Sequence, residues 1–169
     1  NKLVPFGEFL PFENILNIFG LKKITEGHGS FIKGEKRNNL MVKNFQILPL
    51  ICYELIFTDF IQKSKNDTNL IVNISEDGWF GKTIGPDQHF AKSIFRAIEN
   101  NTFLVRSANK GVSAIIDNKG NIIKQLDRTE IGNIELEVPL IKSNKNKNDL
   151  IFFILLITYL FIFFINKEK

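Results

Sequence analysis

The sequence predicts an α/β domain followed by one hydrophobic helix. Five short runs rich in Ile and Val, ended by Asn, Asp or Gly, are typical of strands. An amphipathic stretch lies between the second and third of these runs, and such interleaving of strands and helices favours an α/β fold. Residues 150–165 are almost wholly apolar. We therefore divide the chain into a domain at 1–141, a polar linker at 142–149 and a helix at 150–165.

The predicted elements follow from local patterns. Strands are expected at residues 45–52, 70–74, 102–107, 112–117 and 121–125. The Asn118-Lys119-Gly120-Asn121 stretch predicts a hairpin turn between the last two strands. A helix is expected over 87–100, with Ala97 on its apolar side and Arg96 facing water, and a second one over 55–63.

The C-terminal run predicts a transmembrane helix. Only Thr158 and the hydroxyl group of Tyr159 are polar between residues 150 and 165, and no face is kept for water. The run would be roughly 24 Å long as a helix, somewhat short of the roughly 30 Å bilayer core, and its flanks would make up the difference. Lysines lie on both sides of the run, so charge does not fix its orientation.

Composition excludes several classes of protein. With 44% hydrophobic and 24% charged residues in 169, the chain is not disordered throughout. One cysteine excludes a disulfide framework and a Cys-cluster zinc site, and His28 and His89 are too far apart in sequence to suggest a metal site. We therefore expect no metal and no cofactor. The net charge of +4 is spread along the chain, which argues against nucleic-acid binding. Because the chain starts at Asn1, we expect it to be part of a longer protein.

Cys52 is the first candidate for chemistry. The strand predicted at 45–52 delivers Cys52, Tyr53 and Glu54 to one junction, and strand ends are where α/β folds place reactive groups. A thiol there can attack an ester or amide carbonyl and form a thioester. A buried structural cysteine is the alternative, and spacing alone favours it because no histidine is suitably placed.

Two loops contain further candidates. Glu8 lies in the Leu-Val-Pro-Phe-Gly-Glu-Phe-Leu-Pro stretch at 3–11, whose prolines and glycine predict a rigid loop. A carboxylate among aromatic groups would suit proton transfer or the orientation of a cation, although a surface glutamate fits equally well. Trp79 and Phe80 follow a predicted strand between two glycines and can either line an apolar pocket or fill the core. Asp77 is expected to cap a following turn.

These segments together resemble the nitrilase (carbon–nitrogen hydrolase) superfamily, and within it the bacterial apolipoprotein N-acyltransferases. The resemblance covers most of residues 1–125. Its motifs, in order, are the stretch at 3–11, Phe31-x-x-Gly34, Ile-Cys-Tyr-Glu at 51–54, Asp-Gly-Trp-Phe-Gly at 77–81, Gly-Pro-Asp-Gln-His at 85–89, Arg-Ala-Ile-Glu at 96–99 and Arg-Ser-Ala-Asn-Lys-Gly-Val-Ser at 106–113. The apolar C-terminal run distinguishes this family from soluble nitrilases.

The resemblance implies a four-layer αββα sandwich, present here in part, and a Glu–Lys–Cys triad. Cys52 matches the nucleophile, Glu8 an additional glutamate, and Tyr53 and Glu54 the residues after the cysteine. The triad lysine and glutamate would lie upstream of residue 1, so this chain alone is expected to be inactive. Glu76 stands where asparagine is more usual.

The implied reaction moves an acyl chain from a phospholipid, through a cysteine thioester, to the N-terminal amine of a diacylglyceryl-apolipoprotein. Trp79 and Phe80, together with Phe6 and Phe9, would suit the acyl chain. The implied location is the bacterial inner membrane, with the catalytic domain on the periplasmic side. Two alternatives stay open: an amidase of the same superfamily that acts on a small substrate, and a membrane-anchored module without catalysis of its own.

Overall fold

A computed structural model describes residues 3–5, 7–16, 18–20, 32, 34, 39–58, 68–141 and 149–167. Its helices are α1 (Glu13–Leu16), α2 (Gly85–Glu99) and α3 (Asp149–Lys167), and two 3₁₀ turns cover Cys52–Ile56 and Asp77–Phe80. Its strands are β1 (Leu40–Val42), β2 (Phe45–Ile51), β3 (Leu70–Glu76), β4 (Phe103–Asn109), β5 (Ser113–Ile116) and β6 (Ile122–Leu126). Phe6, His28, Phe31 and most of the predicted linker at 142–149 lie outside the described residues.

The described strands form one mixed sheet in the order β1-β2-β3-β4-β5-β6. The three central strands, β2, β3 and β4, run parallel, and the flanking strands pair antiparallel. Each of the five predicted strands is confirmed to within two residues at either end. The short edge strand β1 was not predicted. The hairpin prediction is also confirmed, since Gly120 takes a φ of +87° in the turn between β5 and β6.

Helix α2 packs on one face of the sheet. Pro86 near its start and Asp87 in its first turn favour initiation there, and the backbone reaches the left-handed region at Asn101 (φ +47°) just after it ends. The buried apolar residues of this layer are Leu48, Leu50, Leu55, Ile71, Ala97, Leu104, Ala114 and Ile116. The prediction that Arg96 faces water is wrong. Its side chain is buried, and its Nε donates to the carbonyl oxygen of Leu55 at 2.9 Å.

The helix predicted over 55–63 is only partly testable. Residues 55 and 56 belong to the 3₁₀ turn Cys52–Ile56 instead, so the prediction is wrong there, and residues 59–63 lie outside the described part. The expected four-layer sandwich is seen as one sheet and one helix layer. On the other face of the sheet, Ile51 and Ile74 are more than half exposed. A second sheet is not among the described residues.

Helix α3 confirms that the apolar C-terminal run is helical. Every side chain from 150 to 166 is exposed. None of the helices in the described part of the chain combines the length and hydrophobicity that crossing a membrane requires.

Candidate active site

Cys52 lies where the central strand β2 ends and a 3₁₀ turn begins. Its φ is +48°, in the left-handed region that residues other than glycine rarely adopt. The residue is half-buried. Such backbone strain at a nucleophilic side chain is typical of functional sites, where the surrounding structure holds it in place. The alternative of a sealed structural cysteine is not supported, because Cys52 lines an open cavity.

That cavity has a volume of about 490 Å³. It is lined by Val4, Pro5, Gly7, Glu8, Cys52, Tyr53, Glu76, Trp79 and Phe80. The cavity brings together five of the residues predicted for the site but not Glu54 or Phe9: Glu8, Cys52, Tyr53, Trp79 and Phe80. Its volume and mainly apolar lining suit a chain-like apolar ligand with few polar contacts.

The loop that contains Glu8 folds back on itself at the cavity wall. The Val4 N–H donates to Glu8 Oε2 at 2.9 Å, and the Glu8 N–H donates to the Val4 carbonyl at 2.8 Å. These two bonds orient a half-buried carboxylate into the same cavity as the thiol. Glu8 is therefore not a free surface glutamate. Phe9, expected near the acyl chain, does not line the cavity.

Tyr53 and Glu54 play different parts after the cysteine. The Tyr53 ring lines the cavity and lies with its centroid 6.4 Å from that of Phe80. Glu54 is buried and accepts the Ile51 N–H on Oε2 at 3.0 Å. It stabilises the turn that displays Cys52 and does not line the cavity.

The loop after β3 also lines the cavity, through Trp79 and Phe80. Trp79 is 62% exposed, so the alternative that it fills the core is wrong. Glu76 has both carboxylate oxygens engaged: Oε1 accepts the Gly78 N–H at 2.8 Å, and Oε2 accepts a hydrogen bond from Asn109 Nδ2 at 2.6 Å. The carboxylate therefore braces this loop while also lining the cavity.

Directly behind the site lies a buried polar cluster that local sequence patterns did not reveal. Asp77 is fully buried and accepts from Arg106 Nη2 at 2.6 Å and from Ser75 Oγ at 2.8 Å. His89 Nδ1 lies 2.9 Å from Asp77 Oδ1. The expectation that Asp77 caps the following turn is wrong, because the cap is Glu76, whose side chain accepts the Gly78 N–H. The available signal was the presence of polar residues, such as Asn73, Ser75 and Arg106, inside otherwise apolar strands, since a buried polar group needs a partner.

Asp77 is held ionised by these partners. Burial raises the pKa of its carboxyl group, but the hydrogen bond with His89, the charge of Arg106 and the hydrogen bond from Ser75 together outweigh burial and lower the pKa to about 2. In the described ranges, no group of three or more His, Cys, Asp or Glu side chains is placed to hold a metal ion.

Comparison with known proteins agrees with this geometry. The sequence pattern of the family described as "Carbon-nitrogen hydrolase" matches residues 29–144. The chain is 44% identical over 137 residues to the apolipoprotein N-acyltransferase of Rhizobium leguminosarum bv. trifolii, covering 80% of this chain and 26% of the relative. It is 43% identical over 138 residues to the apolipoprotein N-acyltransferase of Rickettsia prowazekii, covering 81% of this chain and 27% of the relative. The chain thus spans about a quarter of the length of these relatives.

Two solved structures share the fold at low sequence identity. Saccharomyces cerevisiae Nit3, a member of branch 10 of the nitrilase superfamily, superposes with a TM-score of 0.53 at 19% identity, over 60% of this chain and 41% of that one. The carbon–nitrogen hydrolase from Helicobacter pylori G27 gives a TM-score of 0.51 at 10% identity, over 60% and 43%. These matches support the nitrilase-like α/β arrangement of the sheet and helix α2.

Proposed function

The chain belongs to the carbon–nitrogen hydrolase family, and on that premise we propose that it supplies the nucleophile and part of the acyl pocket of a lipoprotein N-acyltransferase. The observation that carries the proposal is the cavity in which the Cys52 thiol and the Glu8 carboxylate face an otherwise mainly apolar lining. The named relatives support the same activity. The matched stretch covers only 26% of the Rhizobium leguminosarum relative, so the donor, the acceptor and the membrane location are part of the proposal.

In the first half of the proposed reaction, the Cys52 thiolate attacks the carbonyl carbon of a phospholipid ester. The carbon–sulfur bond forms, the ester C–O bond breaks, and the lysophospholipid leaves as its alkoxide takes up the proton that the thiol released. The acyl chain stays on sulfur as a thioester, with Tyr53, Trp79 and Phe80 available to contact it. Burial of the chain against these rings favours the acyl-enzyme at about 25 cal/mol per Å² of apolar surface.

In the second half, the N-terminal amine of a diacylglyceryl-apolipoprotein attacks the thioester carbonyl. The carbon–nitrogen bond forms, the carbon–sulfur bond breaks, and the thiolate is regenerated. A carboxylate beside the thioester can orient the incoming amine and accept its proton, and Glu8 is the candidate for that role. We expect a lysine and a second glutamate of the triad to be supplied from upstream of residue 1.

Helix α3 is proposed as the membrane anchor. Its apolar run at 150–165 keeps no polar face, and every side chain from 150 to 166 is exposed. The run is roughly 24 Å long against a bilayer core of roughly 30 Å, so spanning would need local thinning or snorkelling of the flanking lysines. Tethering raises the effective concentration of two substrates that both reside in the membrane. The proposed location is the inner membrane, with residues 1–141 on the periplasmic side.

The test uses the only cysteine in the chain. The full-length protein is incubated with phospholipid vesicles and its intact mass is measured, with and without neutral hydroxylamine to cleave thioesters. We expect an acyl adduct in the wild type and in Ser107→Ala, an exposed control on β4, and none in Cys52→Ala. An adduct that persists in Cys52→Ala refutes the role of this thiol. Hydrolysis of small amides by the wild type, without an adduct from phospholipid, would favour an amidase instead.

A further inference from the structure

The carbonyl oxygen of Cys52 contacts two buried donors that the proposed chemistry leaves without a role. His89 Nε2 lies 3.2 Å from this oxygen, and Asn73 Nδ2 lies 3.4 Å from it. A carbonyl oxygen can only accept, so this contact is a hydrogen bond only if Nε2 of His89 carries a hydrogen. The 2.9 Å contact of Nδ1 with the Asp77 carboxylate also needs a hydrogen, so the proposal below requires a hydrogen on both ring nitrogens. Asn73 also donates to the Leu50 carbonyl at 3.0 Å, so it connects the end of β2 to the turn.

Both donors are held from behind by one arginine. Arg106 is 2% exposed; its Nη1 donates to Asn73 Oδ1 and its Nη2 donates to Asp77 Oδ2. Asp77 Oδ1 in turn faces His89 Nδ1, which also lies 3.2 Å from Arg106 Nη2. The contacts therefore form a closed loop from the Cys52 carbonyl through His89, Asp77, Arg106 and Asn73 back to the same carbonyl. Because no member is exposed, each is fixed by its neighbours.

The position of His89 also links this loop to the cavity wall. Its ring centroid lies 5.8 Å from that of Tyr53 and 5.7 Å from that of Phe80, and both of these rings line the cavity. Ser75 Oγ, bonded to Asp77, lies 3.7 Å from Cys52 Sγ. The same buried cluster thus contacts the Cys52 thiol, the Cys52 carbonyl oxygen and two aromatic rings of the cavity lining.

We propose that His89 is a positioning residue, whose Nε2–H holds the Cys52 carbonyl and so maintains the left-handed backbone that presents the thiol to the cavity. The φ of +48° at Cys52 is strained and persists only if its surroundings enforce it. A bond to the carbonyl fixes the peptide plane between Cys52 and Tyr53, and with it the direction of both side chains. The inference rests on the proposed function only in naming the acylation that this geometry serves.

Two matched variants separate positioning from simple filling of space. In His89→Gln, the side-chain amide can place a donor near the former Nε2 and reach the Cys52 carbonyl. In His89→Asn, the shorter amide can keep a contact with Asp77 but cannot reach that carbonyl. If His89 matters only as a buried partner of Asp77, the Asn variant should keep more of the wild-type reaction rate of Cys52. If His89 positions Cys52, the Gln variant should keep more of that rate.

The full-length protein is assayed for acyl-thioester formation from phospholipid and, separately, for alkylation of Cys52 by iodoacetamide, with peptide mass spectrometry to follow that one thiol. Loss of one hydrogen bond predicts acylation about two- to tenfold slower in His89→Asn than in His89→Gln, with similar melting temperatures for both. Equal rates in the two variants, or a faster Asn variant, overturn the proposal.

The alkylation rate keeps this inference separate from the proposed function. If the wild type forms no acyl-thioester, the proposed function fails, while a slower alkylation in His89→Asn than in His89→Gln still supports positioning. If either variant does not fold, the wild type decides through ¹⁵N spectra of its histidine side chains, with His89 assigned by its contacts to Tyr53 and Phe80. We expect a protonated Nε2, and an unprotonated Nε2 overturns the proposal.

Discussion

Replacing Arg106 with methionine should destabilise the domain far more than the loss of an exposed arginine. The side chains of Arg106 and Asp77 are both 0% exposed and form an ion pair at 2.6 Å. Removing one partner of a buried pair leaves an uncompensated charge, which typically costs about 3–5 kcal/mol. Arg106 also donates to Asn73, Ser93 and the Val112 carbonyl, so several buried acceptors lose their donor together. We therefore expect a loss near the upper end of that range.

The chain offers a matched control in the ion pair between Arg128 and Asp87. Their side chains are 34% and 61% exposed, and such pairs contribute about 0–1 kcal/mol. The free energy of unfolding of Arg106→Met and Arg128→Met is measured by denaturant titration in detergent, followed by circular dichroism. The double variant Asp77→Leu/Arg106→Met should lose several kcal/mol less free energy of unfolding than the sum of the losses in the two single variants, because it leaves neither charge buried without its partner. Equal losses in Arg106→Met and Arg128→Met would refute the reasoning.

Further predictions follow from the same structure. Because the pKa of Asp77 is lowered from 3.8 to about 2, its contribution to stability, about 2 kcal/mol, is complete above about pH 5 and is lost as pH falls through 4 to below 2; Asp77→Asn should remove this slope from the pH dependence of unfolding. Gly111→Ala should destabilise by about 1–3 kcal/mol, since a Cβ there would lie 2.1 Å from Asp77 Oδ2, whereas Gly132→Ala, whose Cβ would lie 3.6 Å from Leu126, should be near neutral by thermal melting. Trp79→Ala should slow acylation by long-chain donors more than by short-chain soluble esters; an unchanged ratio of the two rates would contradict an acyl-binding role. Deleting residues 149–167 should lower the rate on vesicle phospholipid and spare the rate on a soluble ester; equal losses would contradict an anchoring role.

Local patterns predicted the sheet because its strands differ sharply from their surroundings. Runs of Ile and Val between Asn, Asp and Gly placed β2 through β6 to within two residues at either end. The edge strand β1, Leu40–Val42, is too short to show a period. The 3₁₀ turn at Cys52–Ile56 was missed for a different reason. It depends on Glu54 capping the Ile51 N–H, which no periodicity reveals.

The individual residues of the candidate site were predictable from the sequence, but their arrangement around one cavity was not. Cys52, Glu8 and Trp79 were singled out from their neighbours in sequence, yet each had a structural alternative at least as plausible, and for Cys52 the spacing favoured that alternative. What decided between the alternatives was the cavity, which depends on the loop at 3–11 folding against the ends of β2 and β3. Arg96 was misplaced because the helical period identifies a face and does not identify a carbonyl such as that of Leu55, which lies outside the helix.

The parallel register of the central strands explains why Cys52 lies next to the buried polar cluster although Arg106 of that cluster does not line the cavity. Ile51 pairs with Ile74, and Ile74 pairs with Ser107, so the chain continues into Cys52 and Ser75 at the same edge of the sheet. Arg106 lies two residues before that edge on β4, contacts Ser93 and His89 of α2 from within the core, and does not line the cavity. Under the proposed function, a full charge can therefore organise the backbone at Cys52 without contacting an apolar acyl chain. We then expect a substitution in the buried cluster to alter how the thiol is presented, and a substitution in the cavity lining to alter the choice of acyl chain, so that the two effects can be measured independently.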